Sequence, residues 1–168
     1  ESERKQLAKV LAIREFAVKE LALPDNDSYR LYANVGRPYV VWNVVATPEF
    51  SLTPKQWCYP VVGCVAYRGY FDSGSAKAMG ADLAAAGFDM DVYGVKAYST
   101  LKWFDDPVLN TFLDGADSQL ASLIFHELAH QRLYIAHDTA FNEAYATAVG
   151  RLGAERWLER RGLAPERE

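Results

Sequence analysis

The sequence predicts an α+β domain in which a small mixed sheet packs on helices. Three observations carry this. The middle of the chain alternates strand, helix and strand patterns. Apolar residues recur at helical spacing at both ends of the chain. Half of the 168 residues are hydrophobic, with four Trp, ten Tyr and eight Phe, enough for one buried core and too many for a disordered chain. A single domain over 1–168 is the expectation.

Ser2 to Leu23 reads as an amphipathic helix. Leu7, Val10, Leu11, Arg14, Val18 and Leu21 recur at helical spacing between Lys, Arg and Glu. Pro24 and the polar run Asp25 to Ser28 end it in a turn. Tyr39 to Ala46 is rich in β-branched and aromatic residues and reads as a strand stopped by Thr47-Pro48. Val61 to Tyr67 reads as a second strand, with Arg68 to Phe71 as its exit. Ser75 to Ala86 is an Ala-rich helix closed by Gly87, and Met90 to Tyr98 a third strand. Strand, helix and strand at this spacing suggest one crossover unit.

Ser99 to Gly115 is mostly irregular, with a short helix started by Asp106-Pro107, an N-cap followed by a favoured first residue. Asp117 or Ser118 is expected to cap a helix running to about Ile135. His137-Asp138-Thr139 is the turn after it. The last helix runs from about Ala140 to Arg161, ended by Gly162 and Pro165.

The helix from 117 to 135 carries the chemistry. It contains His126-Glu127-Leu128-Ala129-His130. Residues four apart lie one above the other on a helix, so the two imidazoles share a face and suit one tetrahedral zinc. Glu127, beside the first imidazole, is placed to act as general base on a zinc-activated water. Leu120, Leu123, Ile124, Phe125, Leu128 and Leu133 run nearly all round this helix, which reads as buried. Two His and a Glu are costly there without a strong partner, and a metal supplies one. The bland alternative is a helix with two surface His and a solvated Glu.

Glu143, near the start of the next helix, is the candidate third ligand. It completes a His₂Glu set with the fourth position open. Ala146, Thr147, Gly150 and Ala154 follow on its face, small enough to let the helices approach. The alternatives are an ordinary first-turn Glu favoured by the helix dipole, and His137 as third ligand in its place.

These residues resemble the gluzincin type of metallopeptidase: His126-Glu127-x-x-His130 followed by Asn142-Glu143-Ala144. More closely, Tyr39-Val40-Val41-Trp42-Asn43, Trp57-Cys58-Tyr59-Pro60, Tyr67-Arg68-Gly69-Tyr70-Phe71, Ala97-Tyr98-Ser99-Thr100, Trp103-Phe104-Asp105-Asp106-Pro107 and Asp138 to Glu143 are similar to the bacterial predicted-aminopeptidase family over roughly Ile13 to Trp157. The resemblance implies a zincin-like fold, one zinc ion held by His126, His130 and Glu143, and peptide hydrolysis. It also implies a periplasmic or cell-envelope protein, with any membrane attachment through an N-terminal lipid anchor outside this chain. Relatives begin earlier, so an N-terminal segment of the family is expected to be missing here. Many gluzincins place an Asp one turn after the ligating Glu, whereas this chain has Thr147, which leaves the hydrogen-bond support of the imidazoles unassigned.

In an envelope protein Cys58 and Cys64, closing a short loop, are expected to form a disulfide; in the cytosol they would be core thiols. Zincins pair the extended substrate with an edge strand, and Tyr93 to Ser99 matches it, with Tyr93 and Ser99 as substrate contacts. The developing oxyanion needs a donor besides zinc. Tyr98, Tyr145, Tyr93 and His137 are candidates, Tyr98 first. Arg68 either holds a substrate carboxylate or forms a structural ion pair. Trp103 and Phe104 either wall the cleft or pack the core. Glu49, Asp72, Asp105 and Asp106 are candidates to grip a substrate amine.

Net charge −4 gives no basic footprint for nucleic acid. Two further readings stand beside the peptidase: an idle metallo-fold that binds a peptide or partner protein, and a zinc hydrolase acting on a cell-wall amide.

Overall fold

The computed structural model describes residues 2–60, 63–97, 100 and 104–163. In chain order its elements are α1 (Ser2–Leu21), β1 (Tyr32–Ala33), β2 (Val41–Pro48), β3 (Trp57–Tyr59), β4 (Gly63–Val65), β5 (Arg68–Tyr70), α2 (Ser73–Ala85), β6 (Phe88–Val95), β7 (Val108–Leu109), α3 (Asp117–Arg132) and α4 (Thr139–Arg160). The fold is mixed α and β, with four helices and small sheets among the described residues. Its contacts fall into two compact units, one of residues 1–36, 99–134 and 140–168, the other of 37–98 and 135–139.

The first unit is helical. α1 buries Val10, Ile13, Arg14, Phe16 and Ala17, while Leu11 is exposed, so the inward face is rotated from the expected one. Phe16 meets Phe125 of α3 with ring centroids 6.0 Å apart. α3 begins at Ala116, which makes no side-chain cap. Asp117 instead stands in the first turn, where the helix dipole favours an anion, and pairs with Lys9 and Arg161. α3 stops at Arg132, three residues short of expectation, because Leu133 turns extended at φ −145° and ψ 127°. α4 closes as the sequence suggests: Gly162 takes φ +69°, and the Leu163 and Gly162 amides donate back to the Leu158 and Glu159 carbonyls.

Asp106-Pro107 does not start a helix. The Asp106 carboxylate accepts from the Thr100 amide and from Gln131, so it caps nothing downstream. The chain goes on as β7, paired in parallel with β1.

The second unit holds the three-stranded sheet β5-β2-β6, with β2 antiparallel to both neighbours. β5, α2 and β6 therefore form the expected crossover, stepping over β2. Val44 and Ala46 alternate inward along β2 and pack with Ala76 and Leu83 of α2. Asp72 caps α2 by accepting from the Ser75 amide, and Gly87 follows its end at φ +84°. Of the strand expected over Val61 to Tyr67, only Gly63–Val65 is a strand among the described residues. β4 folds back on β3 with Cys58 opposite Cys64, and these cysteines are disulfide-bonded. Arg68–Tyr70, expected as an exit, pairs with β2. Val61 and Val62 lie outside the described residues. Among the described residues, one mixed sheet is thus replaced by three small ones: the three-stranded sheet, the hairpin and the β1–β7 pair.

The centre of β6 presses on an aromatic ring. A Cβ at Gly94 would come within 2.3 Å of the Tyr39 ring, which packs edge-on to Trp42 at 5.1 Å. Gly94→Ala is therefore expected to lower the unfolding free energy by about 1–3 kcal/mol in chemical denaturation, through overpacking. An unchanged midpoint contradicts this.

Candidate metal centre

α3 is buried because apolar residues surround it: Leu120, Ala121, Ile124, Phe125, Leu128 and Ala129 are all enclosed. Within that run His126, Glu127 and His130 occupy one turn. The four-residue spacing brings the Nε2 atoms of His126 and His130 to 3.1 Å, with the rings at 83° to each other. Glu127 is 6 % exposed and His130 8 %.

Glu143 reaches this pair from α4. Its Oε2 is 3.5 Å from His126 Nε2 and its Oε1 is 3.7 Å from His130 Nε2. What lets the carboxylate in is the face of α4 that meets α3. Ala146, Gly150, Gly153 and Ala154 are buried there, whereas Thr147, expected on this stripe, is exposed. At Gly150 a Cβ would sit 2.8 Å from the Ser122 carbonyl oxygen and 3.3 Å from the Cβ of His126. The helices touch backbone to backbone beside the first imidazole.

The donor set fits a divalent cation. Ligands at about 2.0–2.1 Å from a tetrahedral zinc stand roughly 3.3 Å from one another, and the observed 3.1, 3.5 and 3.7 Å bracket that value. His126, His130 and Glu143 offer ligand atoms that all lie within 4.8 Å of one another.

The charges are arranged to match. Burial works to lower the His126 imidazole, but its hydrogen bond with Glu143 and the charges of Glu127 and Glu143 outweigh this and raise it. Burial and the neighbouring His126 lower His130 against the pull of Glu143. Glu143 is lowered, first by its hydrogen bond to His126. Relative to an ordinary imidazole, His126 holds its proton more readily and His130 less, with a carboxylate beside both. Burial pushes Glu127 up to about 7, helped by the negative charges of Glu143 and Asp106. The Nδ1 of His130 is buried and finds no hydrogen-bond partner among the described residues.

Of the other expected site residues, Tyr98, Ser99 and Trp103 lie outside the described residues. Tyr93 sits half-exposed on β6, which pairs only with β2 among the described residues and so presents a free edge. Arg68 makes no ion pair with a described residue, contrary to the structural pair expected; its guanidinium lies 5.3 Å from the Tyr70 ring centre. His137 Nδ1 accepts from the Cys64 amide at 3.0 Å, and His137 is not in the group of converging ligand atoms found among the described residues. Tyr145 stacks on Phe141. Phe104 is 74 % exposed and does not pack the core. Asp72 is committed to capping α2, and Asp106 is enclosed in hydrogen bonds, so neither is free to grip an amine.

Two residues near the centre were not singled out in the sequence. Tyr134 is half-buried, and burial together with the charge of Glu143 raises its phenol. It stands beyond the end of α3, where the chain has turned extended at Leu133, so helical spacing does not point to it. Gln131 is enclosed beside His130; a buried Gln is invisible to apolar periodicity.

The family model described as "Putative aminopeptidase" matches residues 1–168, the whole chain. No curated protein and no solved structure matches it.

Two outcomes follow from this geometry. Gly→Ala inside a helix ordinarily stabilises by about 0.5–1 kcal/mol. At Gly150 the contact with Ser122 reverses the sign: Gly150→Ala is expected to cost about 1–3 kcal/mol and to weaken metal uptake, read by denaturation and chelator competition. A more stable variant with unaltered uptake refutes the close approach.

In the metal-free chain Glu127 is raised from an ordinary 4.5 to about 7. The folded state therefore favours the protonated acid. Its contribution to stability is complete below about pH 4.5 and is lost as pH rises through about 7, up to roughly 3 kcal/mol. Glu127→Gln does not titrate. Under chelator, its unfolding free energy relative to the parent should move in the variant's favour between pH 4.5 and 8. A difference that stays flat over that window rules the raised carboxyl out.

Proposed function

This chain belongs to the family described as "Putative aminopeptidase", and on that premise we propose that it is a zinc-dependent peptidase of the gluzincin type with a zincin-like fold. The single observation that carries the reading is the convergence of the His126, His130 and Glu143 ligand atoms on one point beside a buried Glu127. Peptides are the substrates that the family description supports. His126, His130 and Glu143 would hold one Zn²⁺. When bound, the ion supplies Lewis acidity, polarising the scissile carbonyl and lowering the pKa of a water.

The protein's own groups do the rest. Glu127 takes the proton of the attacking water and passes it to the leaving amine. Burial of the site strengthens the interactions within it. The free edge of β6, with Tyr93 on it, can take an extended backbone by adding a strand. The Cys58–Cys64 disulfide accords with the oxidising cell envelope that the family resemblance suggests.

The test is metal analysis followed by peptide cleavage. After zinc loading and dialysis the parent should retain one equivalent. Glu143→Ala should retain far less. Glu127→Gln should keep the metal and lose hydrolysis of a mixed peptide library by about 10²–10⁴-fold. Less than about a tenth of an equivalent in the parent sinks the reading. Retention of metal without cleavage by the parent favours a binding module. Cleavage positions read by mass spectrometry separate removal of N-terminal residues from internal cuts.

A further inference from the structure

We propose that Gln131 is a positioning residue for the metal site, its side-chain amide locking the last turn of α3, with Glu127 and His130, onto Ser28 and Asp106. This rests on the reading of His126, His130 and Glu143 as ligands.

Gln131 follows His130 directly and lies one helical turn beyond Glu127. It is 3 % exposed, and Ser28 and Asp106 are equally enclosed. Its Nε2 donates to Asp106 Oδ2 at 3.0 Å and to Ser28 Oγ at 3.2 Å, and its Oε1 accepts from Asn26 Nδ2 at 2.6 Å. Both N–H groups and the carbonyl oxygen are therefore used.

Its partners are themselves held. Ser28 Oγ accepts from the Asp106 amide at 3.2 Å, and the Asp106 carboxylate accepts from the Thr100 amide. The Asp106 carbonyl accepts from the Tyr29 amide at 2.5 Å. Tyr29 adopts φ +61°, a left-handed conformation unfavourable for an aromatic residue, which these bonds maintain. Arg14 of α1 donates its Nε to the Ser28 carbonyl at 2.5 Å and its Nη2 to Asn26 Oδ1 at 3.2 Å. The 26–29 turn, which α1 holds through Arg14, and Asp106, which also accepts from the Thr100 amide, thus meet α3 at one amide.

The need for such a lock is a matter of leverage. A ligand atom about 6 Å from a helix axis moves about 1 Å when the helix turns by ten degrees, whereas metal–ligand distances are held to within about 0.2 Å. Apolar packing tolerates rotations of that size better than directional hydrogen bonds do. An unbranched apolar side chain would fill the same space, but it would take one hydrogen bond each from the enclosed Asp106 carboxylate and Ser28 hydroxyl and from the half-buried Asn26 amide.

Cobalt(II) reads the geometry directly. The parent should bind one cobalt with the visible absorption of a tetrahedral site. Gln131→Met should weaken cobalt binding by about tenfold or more and alter that absorption. Gln131→Glu should do the same, since it faces the Asp106 carboxylate with another. Adding Asp106→Asn to Gln131→Glu restores a donor opposite an acceptor and should return affinity and spectrum toward the parent's. If Gln131→Met does not fold, this paired exchange decides. Variants that melt earlier but bind cobalt with the parent's affinity and spectrum show a merely structural role and overturn the proposal alone. A parent that takes up no cobalt overturns the metal reading, and the proposal with it.

Discussion

A carboxylate on one helix can share a cation with two imidazoles on another only where the two backbones nearly touch. That constraint shapes the helical unit. Gly150 stands against the Ser122 carbonyl, and a Cβ at Gly153 would come within 2.8 Å of the Phe125 ring. A helix with so small a face buries little apolar area there, so the cohesion of the unit comes from elsewhere: Phe16 on Phe125, and Trp157 and Leu158 farther along α4. The site sits where α4 is thinnest.

Closeness brings an electrostatic cost. Glu127, Glu143 and Asp106 are three acids around one turn of α3, and the charges of Glu143 and Asp106 add to burial in raising Glu127. Glu143 is lowered by the imidazoles, whereas Asp106 stays raised although the Thr100 amide and Gln131 oppose its burial. Glu127 keeps the penalty. The acid with the least compensation is the one beside the ligands, and a nearby dication would relieve it and Glu143 together.

How much of this was legible in the sequence depended on the range of the interaction. The His126–His130 pair is local, fixed by helical spacing, and the spacing alone placed it on one face. Glu143 was legible because Gly150 and Ala154 left few other uses for that face of α4. The crossover of β5, α2 and β6 followed from order and composition. The errors arose where a side chain was claimed by a distant partner. Asp106 reads as an N-cap until Thr100 and Gln131 are seen to occupy its carboxylate. Val61 to Tyr67 reads as one strand until Cys58 and Cys64 draw Gly63–Val65 into a separate hairpin. Leu11 reads as inward because apolar spacing alone cannot say that Ile13, Phe16 and Ala17 will face the core in its place.

The case for catalysis over an idle metal site turns on Glu127. For binding alone, a carboxyl at that position is a liability. It is enclosed and raised to about 7, so in the metal-free fold it weighs against stability at neutral pH by an amount comparable to a buried side chain's whole contribution. Gln would keep the volume and much of the hydrogen-bonding capacity without that cost. Destabilised groups of this kind concentrate where a proton must be taken up and then released near neutrality. On the proposed reading, proton transfer accounts for that cost: Glu127 stands one residue after His126 in a chain whose whole length matches the family described as "Putative aminopeptidase".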